Sequence, residues 1–264
     1  MAEILIGTSG YSYKDWVGPV YPEGTKQKDY LSCYAGLFPT VELNFSYHGM
    51  PKAENLSKML ADGGPDLTFS IKAYKTLTHE INPALWEEEA KTYLQAVEPL
   101  FVAKLLEAVL FQFPYSFHYT EENRRYLDKL LAFFKGIPVA VEFRTADWYT
   151  GRVIEGMNSR KVPLVSLDMP ELPNLPPLTD VVTAPVAYIR LHGRNKEAWW
   201  GSSEHDRYDY LYSDNEVEAC AARIERIVEQ AQRILVYFNN HPFGKAVRNA
   251  QTLEKILRKM GLMK

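Results

Sequence analysis

Cysteine is scarce: Cys33 and Cys220 are the only two in 264 residues, too few for a disulfide scaffold. Both fall inside amphipathic helical patterns, so buried, reduced thiols in the cytoplasm are expected. No apolar run approaches the roughly 18 residues that cross a bilayer, which excludes a membrane-spanning helix and argues against a membrane partner. The opening "MAEILIGTSG" lacks the basic start and long apolar stretch of a signal peptide. Neither charge sign dominates, and the formal net charge is −3. Coating nucleic acid by overall charge is thereby unsupported, although a local basic patch stays open. Low-complexity tracts, domain linkers and internal repeats are also missing.

Short apolar runs are what the chain has in quantity. "ILIG", "TVELN", "TFSIKA", "AVLFQFP", "VAVEFR", "PLVSLD", "VAYIRLH" and "ILVYFNN" occur in that order. Each is nearly continuously apolar, as in parallel strands covered on both faces. Helical patterns lie between most of them. "KQKDYLSCYAGLF" places Tyr30, Leu31, Tyr34 and Leu37 on one face. "INPALWEEEAKTYLQAV" is expected to start with Asn82 as N-cap and Pro83 in the first turn. Ser213 and Glu216 have capping-box spacing ahead of a helix reaching about Gln230, and "FGKAVRNAQTLEKILRKM" supplies the last helix. Eight strands alternating with helices predict an α/β fold, a (β/α)8 TIM-type barrel in a single domain over residues 1–264; a doubly wound open sheet is the alternative. Two long loops interrupt the alternation. One is the proline-rich "MPELPNLPPLTDVVTAP" after strand six, and the other is "GRNKEAWWGSSEHDRYDYLYSD" after strand seven.

Side chains two apart on a strand share a face. That rule pairs Glu42 with Asn44, Ser70 with Lys72, Glu142 with Arg144, Ser166 with Asp168, Arg190 with His192, and Tyr237 with Asn239. Gln112 ends the fourth strand and Ser9 the first. In a barrel these sets converge at the C-terminal mouth, where barrel active sites lie. Burying so many charges calls for a reason, and ligand binding or catalysis supplies one. Lys72 among apolar neighbours suits a lowered pKa and a role as base or Schiff-base nucleophile; the alternative is that it neutralises Glu42 or Glu142. Glu142 is either a general base or the partner that fixes Arg144. Glu42 and His192 complete the expected catalytic set, and His79 joins the ligand-binding residues.

Fixed cations beside the carboxylates disfavour a bound metal, and the histidine spacing matches no HExxH pattern, so no cofactor is expected and a divalent metal is the minor alternative. An anion site is expected on the last two loops, as barrels often hold phosphate there. Gly193 and Gly244 permit close backbone approach, Arg194, Lys196, Lys245 and Arg248 add charge, and Asn239 and Asn240 stand beside them. The aromatics Tyr11, Tyr13, Trp16, Trp148, Trp199, Trp200, Tyr208, Tyr210 and Tyr212 either stack on a sugar or base or seal the loops.

The ordered pieces "IGTSGYSYKDWVGPVYP", "TVELN", "FSIKAYKTLTH", "LFQFP", "VEFR", "DMP", "YIRLHGR" and "YFNNHPFGKAVRNA" resemble the YecE-like family, catalogued as domain of unknown function 72. The resemblance covers almost the whole chain and implies a barrel of the triosephosphate isomerase type. The family positions kept are Ser9, Gly10, Trp16, Glu42, Asn44, Lys72, His79, Gln112, Glu142, Arg144, Asp168, Arg190, His192, Gly193, Asn239, Asn240, Gly244 and Asn249. Tyr11 stands where the family usually has tryptophan, and Tyr47-His48 replaces a Phe-Tyr pair, so no role of the family tyrosine transfers there. The barrel is similar to those of apurinic endonucleases and sugar isomerases, a likeness of fold alone. Three functions are therefore expected in order. The first is an enzyme or binder for a phosphorylated or other anionic small molecule. The second is a metal-assisted phosphodiesterase of DNA-repair type, and the third a non-catalytic nucleotide or single-stranded nucleic-acid binder.

Overall fold

Each of the eight expected strands forms, and each lies parallel to its neighbours, in a computed structural model that describes residues 1–201 and 203–263. Strand β1 (Glu3–Ser9) leads through α1 (Tyr30–Ala35) to β2 (Thr40–Leu43). Then α2 (Phe45–His48) and α3 (Ala53–Gly63) precede β3 (Thr68–Lys72). Next come α4 (Trp86–Val102), β4 (Leu106–Gln112), α5 (Glu121–Phe133), β5 (Val139–Glu142), α6 (Gly151–Arg160) and β6 (Ser166–Asp168). Strand β7 (Val186–Leu191), α7 (Glu204–Tyr208), α8 (Asp214–Ile227), β8 (Arg233–Phe238) and α9 (Lys245–Lys259) complete the chain.

The strand order β5-β4-β3-β2-β1-β8-β7-β6 has sequence neighbours side by side, with β8 beside β1. Its two ends meet through Val141 and residues 163–165. Val141 N donates to the Pro163 carbonyl at 2.9 Å, and Val165 N to the Val141 carbonyl at 2.8 Å. This is a nearly closed barrel rather than the open-sheet alternative.

Alternation along the strands separates two apolar regions that the sequence presents as one continuous run. Leu5, Leu110, Ala140, Leu167, Tyr188, Leu235 and Tyr237 fill the interior. Ile4, Ile6, Val41, Phe69, Phe111, Val141, Ile189, Leu191 and Val236 pack outward against the helices. The interior already carries hydroxyls in its middle layer. Tyr237 Oη lies 2.7 Å from Thr40 Oγ1 and 3.0 Å from Ser70 Oγ, which satisfies all three out of reach of bulk water.

The segment 169–185 holds no helix or strand, as its prolines imply. The Ser213–Glu216 capping box is present, with both Ser213 N and Oγ within 2.9 Å of Glu216 Oε2. One boundary differs from expectation. Helix α4 starts at Trp86 rather than at Pro83, because Asn82 closes a separate turn in which its Oδ1 accepts from Ala84 N at 3.0 Å. No helix among the described residues is long and apolar enough to cross a membrane.

Candidate functional site

The polar strand ends meet at the C-terminal mouth around one arginine. Arg190, 2 % exposed, reaches across the barrel from β7. Its two terminal nitrogens bond Glu42 Oε1 of β2 at 2.7 Å and Glu142 Oε2 of β5 at 2.6 Å. Glu42 Oε2 accepts from Tyr188 Oη at 2.7 Å. Glu142 Oε1 accepts from Arg144 Nε at 2.5 Å, and the two guanidiniums hold the Glu142 carboxyl well below the usual carboxylate range against a burial that raises it. Both glutamates are fully buried, and neither faces the cavity above. His192, equally buried, shares its Nδ1 with the Asn239 amide at 3.0 Å, and its Nε2 stands 3.5 Å from Glu142 Oε1. Burial, then the charges of Arg144 and Arg190, push its pKa down to about 3, so the ring is neutral at physiological pH. Of the four expected catalytic residues, Glu42, Glu142 and His192 thus form a floor.

Lys72 is the one that reaches the open space. It ends β3 on the inward face and lines a cavity of about 570 Å³ with Gly10, Tyr11, Asn44, Tyr47, Arg144, Tyr208 and Asn239. A second compartment of about 260 Å³ shares Lys72, Tyr47, Arg144 and Tyr208 and adds His79, Gln112, Tyr115, Trp199 and Trp200. Lys72 Nζ sits 4.0 Å from the centre of the Tyr47 ring and makes no ion pair with a carboxylate of the described residues. Burial, followed by the charges of Arg190 and Arg144, lowers its pKa to about 7, against a smaller opposing pull from Glu142 and Glu42. The lysine is therefore not the neutraliser of either glutamate, because arginines already occupy them. His79 packs edge-on to Tyr47 at 4.8 Å, and burial and the Lys72 charge lower its pKa to about 3.

Other expected ligand-binding residues divide by strand. Asn44, His79, Gln112, Arg144, Arg190 and Asn239 line one or both compartments. Ser9 faces inward opposite Glu42, and its buried Oγ, like Asn44 Oδ1, has no partner among the described residues. Asp168 is a correction. It pairs in register with Leu191, so it points outward, away from the mouth. There it accepts two bonds from Arg194 (2.8 and 2.7 Å), one from Arg223 (3.0 Å) and one from Tyr212 Oη (3.0 Å).

On the last two loops, where an anion site is expected, the protein's own groups occupy Arg194 and Lys245, while Lys196 and Arg248 make no ion pair among the described residues. Arg194 is held by Asp168 and Glu216, and Lys245 is ion-paired with Asp209. Gly193 N donates to Tyr212 Oη at 2.8 Å, and a β-carbon on Gly193 would fall 2.7 Å from that of Tyr210. Asn240 Nδ2 donates to the Tyr210 carbonyl and to Asn249 Oδ1. Gly244 packs on Val20, whose Cγ2 would lie 2.6 Å from an added β-carbon. Carboxylates from separate segments neutralise Arg194 and Lys245 in place of a ligand.

Among the expected aromatics, Tyr11, Tyr13, Trp199, Trp200 and Tyr208 line the compartments. Trp16 and Trp148 are buried, donating to the His241 and Phe117 carbonyls, and Tyr210 and Tyr212 belong to the Asp168–Glu216 network. Sequence reasoning missed Tyr47, Tyr115, His205 and His241. Tyr47 and His205 lie in the short helices α2 and α7, and Tyr115 and His241 in loops, where no strand periodicity marks which side chains face the mouth. A larger cavity of about 620 Å³ lies at the opposite end of the barrel. Glu107 is paired with Arg233 and Arg160 with Asp128, and the cavity's lysines, Lys135 and Lys161, are solvent-exposed, unlike half-buried Lys72. Among the described residues, no three His, Cys, Asp or Glu side chains are grouped to hold a metal ion.

A family model described as "Protein of unknown function DUF72" matches residues 5–263. The chain is similar to the UPF0759 protein YunF of Bacillus subtilis (strain 168), with 28% identity over 96% of this chain and 94% of that protein. A solved DUF72 family protein from Thermotoga maritima MSB8 shares 34% identity at a TM-score of 0.89, covering 97% of this chain and 99% of that one. Another, from Enterococcus faecalis V583, shares 28% identity at a TM-score of 0.86 over 97% of this chain and 95% of that one.

Proposed function

The chain belongs to the DUF72 family, whose description assigns no function, and we propose from the site itself that the barrel mouth binds an anionic small molecule and that Lys72 moves a proton to or from it. The observation that carries this reading is the uncompensated amine. Below the cavity, the carboxylates of Glu42 and Glu142 are matched by the guanidiniums of Arg190 and Arg144. A protonated Lys72 therefore adds one positive charge that nothing beside it balances, and a phosphate or carboxylate supplies the balance. An amine with a pKa of about 7 is also poised for acid–base work at neutral pH. Glu42 and Glu142 act beneath it by fixing Arg190 and Arg144, His192 stands against Glu142 and Asn239, and Asn44, Asn239 and Gln112 offer neutral hydrogen bonds to the ligand's uncharged part.

The metal-assisted alternative gains nothing from this donor set, because both buried glutamates are bonded to arginine. The nucleotide-binding alternative rests on the Tyr115–Trp200 pair, and product formation separates it from catalysis. Cys33 and Cys220 are both free thiols, which suits a cytoplasmic protein.

The test is a thermal-shift screen of phosphorylated and carboxylated metabolites. A ligand at a hundred times its Kd stabilises the fold by about 2.7 kcal/mol. Binding is expected to tighten as pH falls through about 7, where Lys72 gains its proton, and Lys72→Met is expected to lose the response. An equal response in that variant refutes the proposal.

A further inference from the structure

The two compartments meet at Lys72, and both have mixed polar and aromatic walls. The larger sets Tyr11, Tyr13, Tyr47 and Tyr208 beside Asn44 and Asn239. The smaller adds two tryptophans to its polar lining. Trp200 is 51% exposed and meets Tyr115 edge-on with ring centres 5.1 Å apart. Trp199 lies beside it, 3% exposed, with the Arg207 guanidinium 5.8 Å from its ring centre. Gln112, whose Nε2 is committed to the Phe113 carbonyl at 2.7 Å, keeps its Oε1 as an acceptor without a partner among the described residues. A half-exposed tryptophan that walls a cleft beside an acceptor is a surface for a flat ring.

At the waist, three features surround one amine. Arg144 spends its Nε on Glu142, which leaves its terminal nitrogens for a ligand acid group. The face of Tyr47 covers Lys72 Nζ, and the nearby carboxylates are all bonded elsewhere, so none is placed to hold the proton on Nζ. An amine in that setting is neutral in a large fraction of molecules at pH 7, whereas an ordinary lysine is neutral in well under one in a thousand.

We propose that Lys72 forms an imine with an anionic aldehyde or ketone, whose acid group pairs with Arg144 and whose planar arm lies against the exposed face of Trp200. This deepens the function proposed above and rests on it. In the step, the Nζ lone pair forms a bond to the carbonyl carbon while the C=O π bond breaks and its oxygen takes up a proton. A second proton turns that hydroxyl into water, which leaves. Both N–H protons of the neutral amine and the protons gained and lost balance to one imine and one water. No oxidant or reductant takes part.

The experiment uses the full chain at pH 7.5 with para-formylbenzoate and, separately, glyoxylate, followed by sodium borohydride and peptide mapping. Borohydride delivers hydride to the imine carbon and leaves a stable secondary amine. Lys72 is expected to be the first lysine modified, at least tenfold ahead of exposed Lys104, and excess inorganic phosphate is expected to slow its labelling. Para-formylbenzoate is expected to outpace glyoxylate at Lys72, and Trp200→Ala to shrink that preference about tenfold. Labelling at Lys72 no faster than at Lys104, in protein that phosphate still stabilises against heat, overturns the imine and leaves the anion site standing. Neither labelling nor a phosphate response overturns both. A preference unchanged in Trp200→Ala overturns the placement of the ring. Near-ultraviolet circular dichroism of each variant establishes that its fold is intact before labelling.

Discussion

Replacing Lys72 with methionine is expected to stabilise the protein, and by an amount that depends on pH. Methionine keeps the unbranched apolar stem against Tyr47 and removes only the ammonium. In the unfolded chain the lysine ionises near its ordinary 10.5, and in the folded protein near 7. Above pH 10.5 both states hold a neutral amine and the residue has no electrostatic effect. As pH falls from 10.5 to 7, the unfolded state binds a proton that the native state refuses, so native stability drops steadily. Below 7 both are protonated and the penalty stays at its full value. A gap of about 3.5 between the two pKa values, at about 1.36 kcal/mol each, sets a ceiling of about 5 kcal/mol. Water in the cavity relaxes part of this, so the expected gain for Lys72→Met is about 2–3 kcal/mol at pH 6. That gain corresponds to roughly 4–12 °C in Tm for a chain of this size. The assay is urea denaturation of both proteins at pH 6, 8 and 10.5, with the slope m checked for constancy. If Lys72→Met is no more stable at pH 6, or if its advantage persists undiminished at pH 10.5, the amine is not desolvated and unpaired as described.

Two further substitutions probe the floor and its surroundings. Arg190→Met leaves Glu42 and Glu142 buried with their shared partner gone, and is expected to cost about 3–5 kcal/mol in denaturation at pH 7. Glu142 is held below 4.5 in the folded state, so its pairing stabilises above that pH and is lost as pH falls through its folded value; the deficit of the variant should therefore narrow below pH 4.5. Asp168→Asn removes the carboxylate that Arg194 and Arg223 share on the outer face, leaving them Glu216 and Asp180, and is expected to cost about 1–3 kcal/mol. Because that carboxylate points away from the mouth, the anion-induced thermal shift of the variant should match the wild type, as the same screen will read out.

The sequence alone determined the number of strands, their parallel alternation with helices, the helix-free segment 169–185 and the Ser213–Glu216 cap. These depend on neighbours a few residues apart, through the two-residue period of a strand, the fixed torsion of proline and the reach of one side chain to a nearby amide. The same period placed Lys72, Arg144, Arg190 and Asn239 at one end and on one side, which is where the structure has them. It failed on β6. There Ser166 and Asp168 alternate with Val165 and Leu167, both members of an ordinary buried pattern, and polarity alone does not say which set faces in. Only the tertiary structure decided which charges are left over. Arg194 is neutralised by Asp168, 26 residues away, and Lys245 by Asp209, 36 residues away, while Arg190 joins carboxylates 148 and 48 residues distant. Buried charges take whichever opposite charge the fold brings within about 3 Å, and that pairing crosses the barrel rather than following the chain. Lys72 became the candidate reactive group because every neighbouring carboxylate had been taken.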